Sequence, residues 1–194
     1  MGRRYDSSRR KQAAEQTRQD IVRAALKLHW EGIAEMEPLA REAGCSLPTV
    51  RKHYANKEAL FRDCVRTFSE TLTMPDLAVL AAIPPARRLK ECVTELCRIH
   101  EAMFGYAWHA EHWRKDSPTL DAEMHGYEGL ADAIAELLAP PGSPNAQVVR
   151  GLLHFLTYRA LRIRGGLSPE QARDQLTATL RPFIQKGEHT SSIA

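Results

Sequence analysis

Apolar residues recur at helical spacing along most of this 194-residue chain, and that periodicity restricts the folds it can adopt. One such stripe consists of Leu60, Phe61, Cys64, Val65, Phe68 and Leu72. No segment shows the sustained alternation of apolar and polar residues that a half-buried strand requires. The helical patterns end at prolines, glycines or polar capping residues, as helices of globular proteins do. We therefore predict an all-α fold.

The first two helices are predicted to follow a polar N-terminal segment. Residues 1–12 are Arg-rich and lack apolar periodicity, so we interpret them as a flexible arm. Thr17 is a suitable N-cap for the first helix, and Gly32 suits the turn that follows it. A short second helix is predicted over residues 36–43, and Gly44 ends it.

Capping residues define a third and a fourth helix. Ser46 precedes a helix that has Pro48 in its first turn, where a missing N–H removes no helical hydrogen bond. Val50 and Tyr54 are four residues apart, so we expect both to face inward. Asn56 is the predicted N-cap of the fourth helix. Three short helices followed by a longer one are typical of a helix-turn-helix domain.

Four longer helices are predicted in the rest of the chain. They begin near residues 86, 118, 145 and 168, and the third of them continues to residue 164. The last one opens with SPEQ, in which a serine cap, a proline and a glutamine have the spacing of a capping box. The residues after Gly187 are predicted to be loose.

Composition and charge exclude several classes of protein. The apolar runs fall short of the roughly 18–20 residues that cross a bilayer, and the polar N-terminus does not resemble a secretory signal. We therefore expect a cytoplasmic protein with no membrane partner. The four cysteines include no C-x-x-C pair, which argues against a disulfide framework. Residues 1–66 carry 14 Lys and Arg against 9 Asp and Glu, and this excess suggests a polyanionic partner.

Two stretches of the N-terminal third carry a family pattern. They are AALKLHWEG at 24–32 and LAREAGCSLPTVRKHYANKEALF at 39–61. Together they resemble the DNA-binding domain of the TetR family of bacterial transcriptional regulators, through Ala-Gly-Cys-Ser, His-Tyr and Lys-Glu-Ala-Leu. Arg51 stands where that family commonly has an aromatic residue, and Pro48 stands where it has glycine. The segment between the two stretches is also shorter than usual.

The resemblance implies a homodimer that binds a palindromic double-stranded DNA operator. Residues 1–66 would then be the N-terminal arm and helix-turn-helix DNA-binding domain. Residues 67–194 would be a larger helical domain for effector binding and dimerisation, with the last two helices pairing across a two-fold axis. We expect a repressor without a cofactor or a metal, and not an enzyme.

The predicted DNA contacts lie on and around the third helix. Arg51 can donate two hydrogen bonds to guanine O6 and N7, and Thr49 can reach a phosphate or a thymine methyl. The resemblance implies that His53 and Lys57 hold phosphates. The alternative for each cation is a solvated surface charge. The predicted set is Ser46, Pro48, Thr49, Arg51, Lys52, His53 and Lys57, and the arm would add Arg3, Arg4, Arg9, Arg10 and Lys11 along backbone or minor groove.

Aromatic side chains in the C-terminal part suggest an effector pocket. Residues 99–113, IHEAMFGYAWHAEHW, are the richest segment, and later helices supply further rings. Such residues form either the wall of a pocket for an aromatic or lipophilic effector or an ordinary core. The predicted effector contacts are Met103, Phe104, Trp108, His112, Trp113, Tyr127, His154 and Tyr158.

Two alternatives to a ligand-responsive regulator stay open on the sequence. His109 and His112 are three residues apart near Glu111, a spacing with which a helical metal-dependent enzyme could hold a metal ion. An architectural DNA-binding protein would use the same third helix without any effector. For the dimer, the apolar residues Val149, Leu152, Leu153, Leu156, Leu161, Leu176, Leu180 and Phe183 form either an interface or an intramolecular core.

Overall fold

The chain is all-helical over the residues that the structure describes, as predicted. The computed structural model describes the backbone of residues 2–185 and the side chains of residues 8–184, and this part contains no strand. Its helices are α1 (Gly2–Trp30), α2 (Met36–Glu42), α3 (Leu47–His53), α4 (Lys57–Ser69), α5 (Leu77–Ala82), α6 (Pro85–Ala102), α7 (Phe104–Trp113), α8 (Pro118–Leu138), α9 (Ala146–Leu153), α10 (Phe155–Ile163) and α11 (Pro169–Gln185). The predicted loose tail after Gly187 lies outside the described residues.

The helices form two compact units. The first contains the described residues up to Thr71 together with Gly105–Glu123, and the second contains Leu72–Phe104 and the described residues from Met124 onward. In the first unit α1 packs on α2 and α4, and α2 packs on α3. In the second unit α11 packs on α6, α9 and α10. The predicted division at residue 66 stays a prediction, and residues 105–123 pack with the first unit.

Each unit has its own apolar core. The expected inward residues of α3, Val50 and Tyr54, are both buried in the first core. That core consists of Ile21, Val22, Ala24, Ala25, Leu28, Leu39, Ala40, Val50, Tyr54, Leu60 and Cys64. In the second unit, Val149, Leu153, Leu176 and Leu180 are buried, so these members of the possible dimer stripe serve the intramolecular core.

The prediction of a flexible arm and of a helix beginning near Thr17 was wrong. α1 begins at Gly2, and Thr17 lies inside it with its hydroxyl donating to Ala13 O at 2.9 Å. No glycine or proline occurs between Gly2 and Gly32, and Arg, Lys, Gln, Glu and Ala favour helix. Residues 8–16 are all exposed, so this part of α1 contributes no apolar stripe. The apolar pattern therefore marks the part of α1 that packs against other helices and does not mark the first residue of α1.

The predicted caps at Ser46, Asn56 and Ser168 are confirmed, unlike the one at Thr17. The Ser46 hydroxyl accepts from Thr49 N at 3.3 Å, and the Asn56 side chain accepts from Ala59 N at 2.9 Å. At α11, Ser168 Oγ accepts from Gln171 N at 3.2 Å while Gln171 Oε1 accepts from Ser168 N at 2.8 Å, which completes a capping box.

Two predicted long helices are interrupted. The helix predicted from residue 86 through Phe104 divides at Met103 into α6 and α7. The helix predicted over 145–164 divides at His154, whose backbone is extended (φ −66°, ψ 144°), although neither proline nor glycine occurs there. Gly105 lies two residues after the first interruption and Gly151 three residues before the second, but neither has the positive φ with which a glycine ends a helix.

Side chains replace the backbone hydrogen bonds that the break at His154 removes. The His154 ring accepts from Leu156 N at 3.2 Å and so caps α10. Thr157 Oγ1 donates to Gly151 O at 2.8 Å. His100 Nε2 of α6 donates to Leu153 O at 3.0 Å. The break is therefore stabilised by three specific side chains, one of them from a distant part of the chain.

We expect Gly105→Ala to destabilise the first unit. A Cβ at Gly105 would lie 2.6 Å from both Trp30 Cδ2 and the Trp30 carbonyl oxygen, and the backbone atom cannot turn aside. Such overpacking costs about 1–3 kcal/mol. Urea unfolding of the full chain measures this loss. Gly126→Ala is the matched control, because nothing lies within 4 Å of its added Cβ, and an equal loss in both variants would contradict the expectation.

Candidate functional site

The outer face of α3 is a cationic surface with no partner in the described part of the chain. Val50 is 0% exposed and fixes the inner face of this seven-residue helix. Arg51 and Lys52 are exposed on the opposite side. Neither side chain makes a hydrogen bond or an ion pair to any described residue. α3 therefore presents two cations to whatever approaches that face.

The other predicted DNA contacts lie on the same helix or beside it. Ser46 and Pro48 are exposed at its N-terminal end, where the Ser46 and Thr49 hydroxyl oxygens are 2.8 Å apart. His53 is half-buried at the end of α3, and Lys57 is exposed in the first turn of α4. The seven predicted residues are thus grouped along α3 and the start of α4.

The N-terminal basic residues continue α1 and do not form an arm. Arg9, Arg10 and Lys11 are exposed on this helix. The side chains of Arg3 and Arg4 lie outside the described residues. A contact of these residues with DNA therefore stays a prediction, now for a helical segment.

One carboxylate ties the C-terminal end of α3 to two other helices. Tyr54 is the C-cap of α3, and its hydroxyl donates to Asp63 Oδ2 in α4 at 2.7 Å. Arg18 of α1 donates to the same oxygen through Nε at 2.8 Å, and its Nη2 lies 2.6 Å from that oxygen in an ion pair. The Arg18 guanidinium also lies 5.0 Å from the centroid of the Tyr54 ring. We call Arg18, Tyr54 and Asp63 the carboxylate junction.

The carboxylate junction fixes the protonation of its members. Burial acts to raise the pKa of the Asp63 carboxyl, but hydrogen bonds from Tyr54 and Arg18 and the nearby arginine charge outweigh it and lower the pKa. Burial and the Asp63 carboxylate raise the pKa of the Tyr54 hydroxyl. At neutral pH Asp63 is therefore ionised and Tyr54 protonated, the state in which one accepts and the other donates.

A second carboxylate, Glu58, caps the start of α8. It accepts from Ser117 Oγ at 2.6 Å and from Thr119 N at 2.9 Å, and the Thr119 hydroxyl donates to it as well. Ser117 Oγ in turn accepts from Leu120 N at 3.2 Å. The glutamate of the Lys-Glu-Ala-Leu motif therefore holds the first unit together, while its neighbour Lys57 faces solvent.

His29 lies in a buried row of aromatic rings in the first unit. Its ring centroid is 5.1 Å from that of Phe61 and 5.7 Å from that of Trp113. Phe61 and Trp113 stack with centroids 5.9 Å apart. Burial lowers the pKa of His29 to about 4, and the positive charge of Lys57 acts in the same direction. His29 is therefore neutral at neutral pH.

The predicted effector contacts do not all belong to one unit. Trp108, His112 and Trp113 belong to the first. There Trp113 packs in the His29 row, and His112 Nδ1 donates to Trp108 O at 2.9 Å. The five residues of the second unit are Met103, Phe104, Tyr127, His154 and Tyr158.

His100 is the centre of the aromatic cluster in the second unit. It is 1% exposed, and the rings of Tyr127, Phe155 and Tyr158 lie 5.7, 5.8 and 5.2 Å from its own. Because Nε2 donates to Leu153 O, Nδ1 accepts from the Tyr127 hydroxyl at 2.5 Å. Burial lowers the pKa of His100 to about 4, so the ring is neutral as these two bonds require.

Glu101, next in the chain, forms the polar edge of this aromatic cluster. The Tyr158 hydroxyl donates to Glu101 Oε1 at 2.7 Å, and Arg162 Nε donates to the same oxygen at 2.6 Å. The Arg162 guanidinium lies 5.8 Å from the centroid of the Phe104 ring. Two predicted effector residues, Phe104 and Tyr158, are therefore held by a charged pair, Glu101 and Arg162, that was not among the predicted site residues.

A periodicity signal was available for His100. It lies three, four and seven residues after Cys97, Leu96 and Val93, on the apolar stripe of α6. No comparable signal existed for Glu101, Arg162, Asp63 or Arg18, because charged residues on a helix are usually solvated. Their pairing depends on which helices meet, and that is a property of the folded chain.

His154, like Phe104, is half-buried, whereas Met103, Tyr127 and Tyr158 of the same unit are buried. His154 lines an open cleft of about 530 Å³ together with Glu128, Asp132 and Arg150. Arg150 Nε lies 3.0 Å from Asp132 Oδ1 across this cleft. The surroundings of His154 are therefore polar and charged, whereas those of Tyr127 and Tyr158 are aromatic.

The structure gives His109 and His112 different surroundings. The His109 ring stacks on Trp113 with centroids 5.7 Å apart, and His112 bonds to the Trp108 carbonyl. Over the described residues, no group of three or more His, Cys, Asp or Glu side chains is arranged to hold a metal ion.

Comparisons with known proteins supply no family assignment. Neither the family models nor the curated proteins searched contain a match to this chain. Within the described part of the chain, no helix has the length and apolar character needed to cross a membrane.

We expect His29→Phe to reduce the sensitivity of folding to acid. The folded-state pKa of His29, about 4, lies below the ordinary 6.5. The free energy of unfolding therefore has its full value above pH 6.5 and decreases as the pH falls toward 4, because the unfolded chain binds this proton more readily than the folded one. Between about pH 7 and pH 5 a pKa shift of this size lowers the free energy of unfolding by about 2 kcal/mol. Phenylalanine keeps an aromatic ring beside Phe61 and Trp113 but has no group that titrates, so this loss on acidification should disappear.

Urea unfolding of the full chain at the two pH values measures the change. The control is His125→Phe, at an exposed position, which should retain the acid loss of the unsubstituted protein. A His29→Phe variant that loses as much stability on acidification as the unsubstituted protein would show that the ring is not held neutral.

Proposed function

We propose that the protein is a ligand-responsive DNA-binding transcriptional regulator of the TetR type. It is a homodimeric repressor that binds a palindromic operator and is released by a small lipophilic or aromatic effector. The observation that carries the proposal is the outer face of α3, where Arg51 and Lys52 are exposed and unpaired within the described residues while Val50 and Tyr54 hold the inner face.

The geometry of α3 supports major-groove binding. A recognition helix contacts base edges with residues near its N-terminal end while its other face is held by the domain. α3 begins with the Ser46 cap and Pro48, both exposed, and Arg51 follows one turn later. Exposed Lys57 lies at the start of α4, which suits a phosphate beside the groove. Base readout is assigned to Arg51 and backbone positioning to Lys57.

The second unit supports the effector and dimer parts of the proposal. Its aromatic cluster around His100 combines rings with the polar groups of His100 and Glu101, the chemistry that suits an aromatic effector. Because His100 and Tyr158 are buried and hydrogen-bonded within the unit, such an effector would have to replace some of these internal contacts. On α9 and α10, Val148, Leu156 and Ile163 are 43%, 46% and 55% exposed. Exposed apolar residues of this size on one segment are a feature of interaction surfaces, and the partner proposed is a second copy of the chain.

The response to effector follows from the symmetry of such a dimer. Two recognition helices bind successive major grooves only when their separation matches a helical turn of DNA or a multiple of it. An effector that binds one dimer conformation better than another shifts the population toward the conformation it prefers. Release follows when the preferred conformation has the wrong separation.

We expect Arg51→Ala to reduce sequence discrimination. Loss of a bidentate contact to guanine costs about 1–3 kcal/mol at the base pair that it reads. Selection from a random-core duplex library with the full chain identifies the preferred sequence. Anisotropy titrations then compare that sequence with a scrambled duplex, and unchanged discrimination in Arg51→Ala would remove α3 from the interface.

Lys57→Ala serves as the contrasting variant. A phosphate contact contributes equally on every sequence, so both duplexes should bind more weakly and discrimination should be retained. The slope of log affinity against log salt should fall by about one counterion. Failure of the library to enrich any sequence with the unsubstituted chain would refute the proposed function itself.

We expect Val148→Lys to weaken the homodimer. A lysine at an apolar interface must lose its hydration, which costs more than the valine contacts it replaces. Val79→Lys is the matched control, because Val79 is 60% exposed on α5, away from α9 and α10. Sedimentation velocity over a concentration series measures dissociation, and equal dimerisation of both variants would place the interface elsewhere.

A further inference from the structure

We propose that Asp63 is a positioning residue for sequence recognition, which sets the orientation of α3 through the carboxylate junction. The inference rests on the proposed function, because it concerns how α3 meets DNA. Asp63 lies on α4 and touches no base or phosphate under this proposal. It acts through Tyr54, the residue that directly follows the exposed Arg51, Lys52 and His53.

The orientation of α3 depends on contacts with neighbouring helices, because α3 is too short to be stable alone. A helix of seven residues is far below the length at which an isolated helix is stable in water. Its direction is therefore set by the points at which it is attached to neighbouring helices. Two of its residues are well buried: Val50 in the middle and Tyr54 at the C-cap. Val50 offers only apolar contact, which resists sliding and rotation less than a directional hydrogen bond does.

The carboxylate junction supplies the directional contact. Asp63 Oδ2 accepts hydrogen bonds from the Tyr54 hydroxyl and from Arg18 Nε, and Arg18 Nη2 lies 2.6 Å from the same oxygen in an ion pair. These bonds join α1, α3 and α4 at one oxygen. The Asp63 side chain is only 14% exposed, so the bonds are shielded from water and from salt. Bonds to a charged acceptor are also stronger than neutral ones.

Loss of this contact should affect base readout more than phosphate attraction. Hydrogen bonds to base edges require the donor within about 0.5 Å and 10–20° of the productive geometry. Attraction between lysine or arginine and phosphates falls off slowly with distance and tolerates a tilted helix. A loosened α3 therefore keeps non-specific affinity and loses the preference for one sequence. A residue with a purely structural role would lower both affinities in proportion to the unfolded fraction.

The experiment compares Asp63→Asn with Asp20→Asn in the full chain. Both variants remove one negative charge from α1 or α4 of the first unit, so any general gain in DNA attraction is shared. The Asp20 side chain is 37% exposed, and its carboxylate pairs with Arg23 on the same helix, an interaction of little energetic weight. Affinities are measured for the sequence enriched by the unsubstituted chain and for its scrambled duplex, at one salt concentration.

The expected result is a roughly tenfold fall in the ratio of specific to non-specific affinity for Asp63→Asn, comparable to the loss of a base contact. Asp20→Asn should leave the ratio unchanged. Tyr54→Phe removes only the hydroxyl and keeps the pair between Arg18 and Asp63, so it should lower the ratio in the same direction by less. Tyr54→Phe tests the positioning role by itself if circular dichroism shows that Asp63→Asn does not fold.

The outcomes separate the inference from the proposal it rests on. If the unsubstituted chain prefers a sequence and folded Asp63→Asn and Tyr54→Phe keep the full ratio, the positioning role is wrong while the proposed function stands. If the unsubstituted chain prefers no sequence, the proposed function fails first. Equal loss of affinity for both duplexes would assign Asp63 to stability alone and also overturn the inference.

Discussion

Attachment of a very short helix to its neighbours is the constraint on which the candidate DNA interface depends. α3 has too few residues to be stable alone, so burial of Val50 and Tyr54 determines that it exists and which face is exposed. The carboxylate junction adds a directional bond at the end of the helix where the basic residues lie. The same packing that stabilises α3 thus leaves Arg51 and Lys52 outside.

Much of the fold could be predicted because its signals are local. Ser46, Asn56 and the Ser168–Gln171 pair each bond to backbone groups within three residues, so spacing alone identified them. The start of α1 was missed because an exposed helix requires no apolar stripe. The break at His154 was missed because one of the three side chains that stabilise it, His100, lies 53 positions before Leu153, the residue to which it bonds, and no local pattern indicates so remote a partner.

The residues of the candidate site also differ in whether local sequence or long-range packing determines their position. The predicted DNA contacts lie together because they come from one helix and its flanks, where sequence order determines position. The predicted effector contacts were grouped by residue type, and residue type does not determine which helices meet. Trp113 accordingly packs against His29, whereas Tyr127 and Tyr158 surround His100. The ion pairs of Asp63 and Glu101 cannot be identified from the sequence, because they form only where separate helices bring donors to one oxygen.

The interruption between α9 and α10 has a consequence for the order of folding. Residues 146–163 contain no proline and one glycine, Gly151, so their sequence alone does not place a break at His154. The Leu153 carbonyl is instead bound by a residue 53 positions earlier, and a contact of that separation forms only after a large loop has closed. The bend between α9 and α10 is therefore complete only when α6 has docked against this segment.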